Sequence, residues 1–309
     1  MTPRLAILCS GQGAQHPGMF DLARTDPVAA SLLDTWVPPS GMAGILDLFA
    51  NRVAQSIVTA SACATWAALR VHVPAPAAVA GYSVGEVAAL SVAGVIDPAD
   101  AVALAHLRAA VMDSCVDPDQ LQGLLAVSGL SLPTVRRLLD QMNAFETEVA
   151  IINGHDQCIL GGPVDDGPPG AGLVTLARGF ERAGAQTVRL PVTIASHTGW
   201  MRAAVAPLEA HIKRLPAKAP TTRLLAGVSG EASATAATAL AALIRQTDQT
   251  VRWDACMDAM AESGITVALE LGPGSGLSRM LAFRHPGIAC RSAAEFRTLD
   301  GIGRWIARQ

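Results

Sequence analysis

The stretch AVAGYSVGEVAAL, residues 78–90, joins a run of small apolar residues to a G-x-S-x-G pentapeptide and then to an apolar, alanine-rich run. The apolar residues up to Ala80 predict a short strand buried on both faces, and Glu86 to Val95 predict a helix. A strand, a G-x-S-x-G turn and a helix together are typical of a nucleophile elbow, whose turn is too tight for side chains at the glycine positions. The alternative is an incidental serine in a glycine-bounded turn.

An elbow would give Ser83 the surroundings of a nucleophile. The backbone N–H of Val84 could donate to an oxyanion, and the serine would need a base. Of seven histidines, His197 is the best candidate, because it follows a predicted strand where two parts of the chain meet and a cleft is expected. No acid stands out in the chain order Ser…Asp/Glu…His, so the residues do not indicate an ordinary hydrolase triad.

Strand and helix patterns alternate on both sides of the elbow. Leu5 to Cys9 and Val267 to Leu271 predict buried strands, and Asn51 to Val73 and Pro98 to Asp113 predict helices. This alternation favours a mostly parallel sheet covered on both faces. The predicted fold class is therefore α/β, with an α/β-hydrolase-like core formed by residues 1–122 and 191–309.

The middle of the chain has another pattern. Predicted elements from Leu124 to Ile194 follow the order β-α-β-β-α-β, with a last strand over Thr187 to Ile194 and a Pro- and Gly-rich loop at 161–172. That order is typical of ferredoxin-like domains. We expect an inserted ferredoxin-like subdomain at residues 123–190.

Composition excludes several classes of protein. Of 309 residues, 50% are hydrophobic and 16% are charged, and the net charge is -3, which favours a globular protein and gives no sign of binding nucleic acid. The six cysteines form no C-x-x-C pair, so we expect reduced thiols and no metal site. No signal peptide or membrane-spanning run is present, and the prediction is a cytoplasmic protein without membrane contact.

Seven motifs spread over the chain resemble those of one enzyme family. GQGAQ at 11–15 and GYSVGE at 81–86 correspond to its GQGxQ and GHSxGE motifs, and the others lie at the expected places between and after them. The chain thus resembles the malonyl-CoA:acyl-carrier-protein transacylase family. The remaining five motifs are HLRAAVM at 106–112, IINGHDQCILGG at 151–162, ASHTGWM at 195–201, IRQTDQTVRW at 244–253 and LELGPG at 269–274.

The resemblance implies a role for each motif residue. Ser83 would be the nucleophile and His197 its base, oriented by a carbonyl rather than a carboxylate. The N–H groups of Gln12 and Val84 would form the oxyanion hole. Arg108 would bind the free carboxylate of a malonyl group, for which a planar, permanently charged guanidinium is suited. Gln246 would line and orient the substrate pocket. The substrate would be malonyl-CoA, with no bound cofactor, and the partner an acyl carrier protein bearing a phosphopantetheine-type arm.

The chain departs from the family pattern at three places: Tyr82 replaces a histidine, Cys9-Ser10 replaces Phe-Pro, and Ile194-Ala195 precedes the serine–histidine pair. GYSVGE most resembles the malonyltransferase (epsilon) subunit of malonate decarboxylase, so the main expectation is that the protein charges the carrier subunit of that enzyme. The alternative is a transacylase for fatty-acid or polyketide synthesis, using malonyl or methylmalonyl.

Two further alternatives leave part of the pattern unexplained. A serine thioesterase or esterase would share the elbow but would not need Arg108 or GQGAQ. A non-catalytic docking subunit would not need Ser83, His197 and Arg108 together. Basic residues that could meet an acidic carrier protein are Arg178, Arg182, Arg189, Lys213, Arg279 and Arg284.

Overall fold

Short runs of small and branched apolar residues form two sheets in a mixed α/β protein. The structure is a computed structural model that describes residues 3–37, 47–165 and 170–309. Its strands are β1 (Leu5–Cys9), β2 (Ala78–Gly81), β3 (Gln122–Ser128), β4 (Glu148–Gly154), β5 (Gln157–Pro163), β6 (Gln186–Arg189), β7 (Arg223–Leu225), β8 (Ala232–Ser233), β9 (Val251–Arg252), β10 (Val267–Leu271) and β11 (Ala289–Ser292).

Several helices begin where a side chain caps the first turn. The Asp26 carboxylate accepts from the N–H groups of Val28 and Ala29, and the Ser131 hydroxyl accepts from that of Thr134. The helices in the described residues are α1 (Pro27–Trp36), α2 (Asn51–Leu69), α3 (Gly85–Val92), α4 (Pro98–Asp113), α5 (Leu132–Gln141), α6 (Leu173–Arg182), α7 (Arg202–Ile212), α8 (Ala236–Gln246), α9 (Trp253–Glu262), α10 (Gly276–Arg284) and α11 (Leu299–Ile306).

The larger sheet has the strand order β11-β10-β1-β2-β7-β8, and its neighbouring strands are parallel except for the antiparallel pair β7 and β8. Alternate residues of β1 enter different cores: Leu5, Ile7 and Cys9 pack with the helices on one face, and Ala6 and Leu8 pack on the other. Both faces are therefore covered, as the apolar runs predict.

The carboxyl ends of three parallel strands meet at one edge of this sheet. Cys9 pairs in register with Gly81 on one side and with Leu271 on the other. The GQG loop, the serine turn and the GPG loop therefore start beside one another. Open α/β sheets bind ligands at this edge, so the topology places the candidate nucleophile where a site is expected.

The smaller sheet has the order β6-β3-β5-β4-β9, antiparallel except for the pair β4 and β9. Its first four strands in sequence, together with α5 and α6, follow the predicted β-α-β-β-α-β order. Leu125 and Val127 pack beneath α5 and α6, whereas Leu124 faces the larger sheet together with Ile159. The short strand β9, from the last third of the chain, pairs with β4 and also joins this sheet, although it lies outside the insertion predicted at residues 123–190.

The last predicted strand of that segment is shorter than the sequence indicates. The prediction ran from Thr187 to Ile194, but β6 ends at Arg189. Leu190 still donates to Leu124 of β3 at 3.0 Å, but beyond Pro191 the N–H of Val192 donates back to the carbonyl of Leu190 at 2.8 Å, so the chain turns there and the strand pattern ends. Of the predicted Pro- and Gly-rich loop, residues 166–169 lie outside the described residues.

In the part of the chain that the structure describes, helices reach 19 residues in α2, and none is both long and apolar enough to cross a membrane.

Candidate active site

The serine turn is so tight that only glycine fits at its two ends. A Cβ at Gly81 would lie 2.2 Å from the main-chain N of Glu86, and a Cβ at Gly85 would lie 2.1 Å from the carbonyl oxygen of Cys9. Between them, Ser83 has a φ of 55°, in the left-handed region that non-glycine residues rarely adopt. The turn presents the Ser83 side chain, which is partly exposed, at the N-terminus of α3.

His197 lies directly against this serine. Its Nε2 is 2.7 Å from the Ser83 Oγ, and its Nδ1 is 2.5 Å from the main-chain carbonyl oxygen of Gln246. A carbonyl can only accept, so Nδ1 carries the proton and Nε2 is free to accept the proton of the serine hydroxyl. No carboxylate of the described residues hydrogen-bonds to the imidazole, which agrees with the missing triad acid.

The last turn of α8 holds the histidine at two points. Besides the contact with the Gln246 carbonyl, the main-chain N–H of His197 donates to the carbonyl of Thr247 at 3.1 Å. Both carbonyls belong to the C-terminal end of the helix, where no intrahelical donor satisfies them. This anchoring fixes a histidine whose φ of 65° is also left-handed.

The pKa of His197 is lowered from its ordinary value of 6.5 to about 3, chiefly by burial and also by the charge of Arg108, whereas the hydrogen bond to Gln246 acts in the opposite direction. The imidazole is therefore neutral at neutral pH. A neutral imidazole beside a serine hydroxyl can act as a general base.

The GQG loop lies against the serine turn. A Cβ at Gly11 would be 2.9 Å from the carbonyl oxygen of Tyr82 and 3.8 Å from the Cβ of Ser83. The next residue, Gln12, therefore lies close to the nucleophile. The N–H groups of Gln12 and Val84 donate to no other described residue, so both are free to bind an oxyanion.

Arg108 is a buried cation held by amide oxygens. Only 1% of the residue is exposed, and its guanidinium donates from Nη1 to Gln55 Oε1 at 2.6 Å and from Nη2 to Gln246 Oε1 at 3.2 Å. Its Nε is buried without a partner, and no described carboxylate forms an ion pair with it. Burial lowers the pKa of Arg108 to about 10, which leaves the group charged at neutral pH and available to an anion.

Two residues of this site were missed at the level of sequence. Gln55 lies in the interior of α2 and contacts Arg108 across 53 positions of sequence, and its only signal is a polar residue in an alanine-rich helix. Glu86 follows the nucleophile by three positions, and its carboxylate accepts from the side-chain amide of Gln246 and, at 3.2 Å, from the N–H of Gly227. Its signal is an acid in the first turn of an otherwise apolar helix.

Tyr82, where the resemblance predicts histidine, connects the serine turn to the smaller sheet. Its hydroxyl donates to Asn153 Oδ1 at 3.1 Å, and its ring contacts Trp253 edge to face, with centroids 5.4 Å apart. Asn153 belongs to β4 and lines a cavity of about 310 Å³ against α10. Tyr82 thus links the serine turn, which follows a strand of the larger sheet, to Asn153 in the smaller sheet.

The structure brings Ser83, His197, Arg108 and Gln246 into one connected set of hydrogen bonds. Two of the predicted carrier-binding residues, Arg279 and Arg284, line the cavity beside Asn153. Arg284 also pairs with Asp258 at 2.6 Å, and Lys213 pairs with Glu209 at 2.9 Å. Among the described residues, no group of three or more His, Cys, Asp or Glu side chains could hold a metal ion.

Known proteins match this chain over most of its length. A family model described as an acyl transferase domain matches residues 7–306. The malonyl CoA-acyl carrier protein transacylase of Mycobacterium bovis is 30% identical over 309 residues, covering 96% of this chain and 99% of the relative. The protein of the same name from Escherichia coli K12 is 30% identical, covering 89% of this chain and 91% of the relative.

Solved structures match over the same length. The crystal structure of MCAT from Mycobacterium tuberculosis superposes with a TM-score of 0.84 at 28% identity, covering 97% of this chain and 99% of that chain. The malonyl CoA-acyl carrier protein transacylase of Coxiella burnetii has a TM-score of 0.89 at 23% identity, covering 100% and 98%, and this match speaks for the fold alone.

Proposed function

Because the chain belongs to the acyl transferase domain family, we propose that it transfers a malonyl group from malonyl-CoA to the thiol of an acyl carrier protein through an ester of Ser83. The observation that carries this proposal is the 2.7 Å contact between Ser83 Oγ and His197 Nε2, with the buried cation of Arg108 joined to the same residues through Gln246. Relatives of 30% identity bear the name of this activity.

The first half of the reaction forms the ester. His197 takes the proton of the Ser83 hydroxyl as its oxygen attacks the thioester carbonyl, and the N–H groups of Gln12 and Val84 would stabilise the oxyanion. The C–S bond then breaks, and the imidazolium returns its proton to the departing CoA thiolate. The second half runs the same steps in reverse, with the carrier thiol as nucleophile and the serine as leaving group.

Arg108 would select the acyl group. A guanidinium matches a carboxylate in a bidentate, charge-assisted contact, and a malonyl group carries its carboxylate two carbons from the thioester carbonyl. The amide oxygens of Gln55 and Gln246 hold the guanidinium without neutralising it. An acetyl group would gain nothing from this cation.

The carrier protein that receives the malonyl group has two candidates. The resemblance of GYSVGE suggests the carrier subunit of malonate decarboxylase, but the relatives carry the name of the general transacylase, which supports a carrier of fatty-acid or polyketide synthesis at least as well. The acyltransferase domain of a salinomycin polyketide synthase module, at 25% identity and a TM-score of 0.82, supports the same choice. We therefore favour a carrier of fatty-acid or polyketide synthesis.

The fold assignment within this proposal is an α/β-hydrolase-like core with a ferredoxin-like insertion. The parallel strands β11, β10, β1, β2 and β7 with the serine after β2 support the first part. The antiparallel order β6-β3-β5-β4 supports the second, although β9 from the core segment also joins that sheet. The cleft between the sheets would receive the carrier arm, with Arg279 at its α10 side.

The test is intact-mass analysis of the protein after brief incubation with malonyl-CoA. The wild-type chain should gain one malonyl group and should lose it on addition of a holo carrier protein, whereas Ser83→Ala should gain none. Equal labelling of both proteins would place the nucleophile elsewhere. Release of malonate to water faster than transfer to the carrier would favour the esterase alternative.

A further inference from the structure

Gln246 is the residue on which both halves of the site depend. Its main-chain carbonyl accepts from His197 Nδ1, and its side-chain Oε1 accepts from Arg108 Nη2 at 3.2 Å. Its side-chain Nε2 donates to the carbonyl of Ser83 at 3.2 Å and to Glu86 Oε2. The base, the anion-binding cation and the nucleophile thus share one fully buried neighbour.

The side-chain amide of Gln246 satisfies these contacts in one orientation only. Two acceptors face its Nε2 and one donor faces its Oε1, so a flipped amide would place like groups against each other on both sides. The Ser83 carbonyl is a shared acceptor, since the N–H of Glu86 also donates to it at 3.0 Å. Of the two acceptors, the carboxyl of Glu86 is the one that belongs to a side chain, and it is therefore the one that a substitution can remove.

The carboxyl group of Glu86 is fixed in place by burial and by a main-chain hydrogen bond. It is 2% exposed, and the same Oε2 accepts from the N–H of Gly227 at 3.2 Å. The main chain of Gly227 approaches so closely that a Cβ there would lie 2.5 Å from Glu86 Oε2 and 3.2 Å from Gln246 Nε2. Neither Glu86 nor Gly227 contacts the atoms that would react.

We propose that Glu86 is a positioning residue for malonyl selection, acting through Gln246 on the guanidinium of Arg108. This inference rests on the proposed function, because it names how the same site holds its carboxylate-binding group. Without an acceptor at position 86, the buried Gln246 Nε2 loses a partner and the amide turns toward another one. Arg108 then keeps only Gln55, and its fork no longer faces the malonyl carboxylate in a fixed geometry.

The acceptor oxygen of Glu86, rather than its charge, performs this role. Burial raises the pKa of Glu86 to about 7, against the hydrogen bonds from Gly227 and Gln246 and the charge of Arg108, so the carboxyl is only partly ionised at neutral pH. A glutamine in its place would still offer a carbonyl oxygen to Gln246 and Gly227. A methionine would fill a similar volume and would offer no comparable acceptor.

The experiment compares malonyl and acetyl transfer in Glu86→Gln and Glu86→Met, with the exposed Glu262→Gln as a matched control. Each kcat/KM is normalised to the fraction of enzyme that forms a stable Ser83 ester, so loss of folded protein does not enter the ratio. The malonyl-to-acetyl ratio should fall by at least about tenfold in Glu86→Met and stay within about threefold in Glu86→Gln. Glu262→Gln should leave both substrates unchanged.

A ratio that stays at the wild-type value in Glu86→Met would overturn the proposal, and so would an equal fall in both Glu86 variants. If Glu86→Met does not fold, Gly227→Ala gives a second reading, because its Cβ would lie 2.5 Å from Glu86 Oε2 and 3.2 Å from Gln246 Nε2 and so would disturb their contact while both side chains stay chemically unchanged. It should lower the ratio, and an unchanged ratio contradicts the proposal. Failure of the proposed function is a separate result, since the wild-type chain would then form no malonyl ester at all.

Discussion

Ser83 and His197 meet at 2.7 Å, and both have a left-handed backbone, with φ values of 55° and 65°. Non-glycine residues adopt this conformation at a cost, and such residues concentrate at functional sites. Ser83 is held by the glycines on either side of it, and His197 by the end of α8. Two separate strained turns therefore form this contact. The turn of Ser83 follows β2 of the larger sheet, and the turn of His197 follows β6 of the smaller sheet.

His197→Ala should slow formation of the serine ester without loss of fold. General base catalysis contributes about 10²–10⁴-fold, and the serine hydroxyl has no other base in hydrogen-bond contact among the described residues. Single-turnover transfer from malonyl-CoA, measured beside a thermal unfolding curve, checks this prediction. A folded variant with near-normal transfer would remove His197 from the mechanism.

The acid limb of the pH profile should lie well below the ordinary pKa of histidine. Because the pKa of His197 is lowered to about 3, the imidazole stays neutral and competent as the pH falls through 6.5. Formation of the ester should thus persist between about pH 7 and about pH 5. The measurement is kcat/KM for the first half-reaction in Glu86→Gln as well as in the wild-type chain, because Glu86 itself has a pKa of about 7. A half-maximal rate near pH 6.5 in both proteins would contradict the neutral, buried base.

Arg108→Ala should lower kcat/KM for malonyl-CoA by at least about tenfold, because hydrogen bonds to charged groups contribute roughly 1.5–3 kcal/mol and the malonyl carboxylate loses its partner. Acetyl transfer should hold steady or rise, since the acetyl group has no carboxylate. Arg108→Lys should restore only part of the malonyl rate, because an ammonium lacks the planar fork. If malonyl and acetyl transfer fall together in Arg108→Ala, the arginine is structural.

Gly85→Ala should destabilise the protein by at least about 2 kcal/mol, since its Cβ would lie 2.1 Å from the main-chain oxygen of Cys9 and the strand cannot easily move. The matched control is Gly276→Ala at the start of α10, where a Cβ meets nothing within 4 Å and alanine is the better helix former. Urea unfolding of the two variants measures both effects. Equal midpoints for both would show that the turn tolerates a side chain.

Tyr82→Phe should lower the free energy of unfolding by about 1–3 kcal/mol, because the buried Asn153 Oδ1 loses its hydroxyl donor while the ring contact with Trp253 stays. Asn153→Ala and the double variant complete a thermodynamic cycle. The two losses should be less than additive, since either change alone breaks the same bond. Strict additivity would mean that the tyrosine and the asparagine act independently.

The serine turn could be predicted from sequence because its rule is local. Two glycines at fixed offsets, a preceding apolar run and a following helix pattern all lie within residues 78–90, and the observed β2 and α3 agree with them. The mixed α/β class followed from the alternation of apolar runs, which the two sheets confirm. The roles assigned to Ser83, His197, Arg108 and Gln246 stay predictions until the variants are measured.

The contacts that complete the site could not be predicted, because they join distant positions. Gln55 contacts Arg108 across 53 positions of sequence, and Glu86 contacts Gln246 across 160. Gln55 has the pattern of an ordinary polar helix residue, and although Glu86 ends the GYSVGE motif, nothing local indicates its partner. The strand expected up to Ile194 stops early at β6, and the two residues of β9 are too few to show a period. Tertiary packing decides each of these cases.

Because a main-chain carbonyl orients His197, point mutations cannot easily remove the partner of its imidazole. A triad carboxylate belongs to a side chain, so a single nucleotide change can delete it, whereas the partner of His197 Nδ1 is the peptide oxygen of Gln246, which every amino acid supplies. Mutation at position 246 can alter the neighbours of Arg108 but leaves that oxygen in the chain. A substitution at 246 therefore changes how Arg108 is held while the protein keeps the partner of its base.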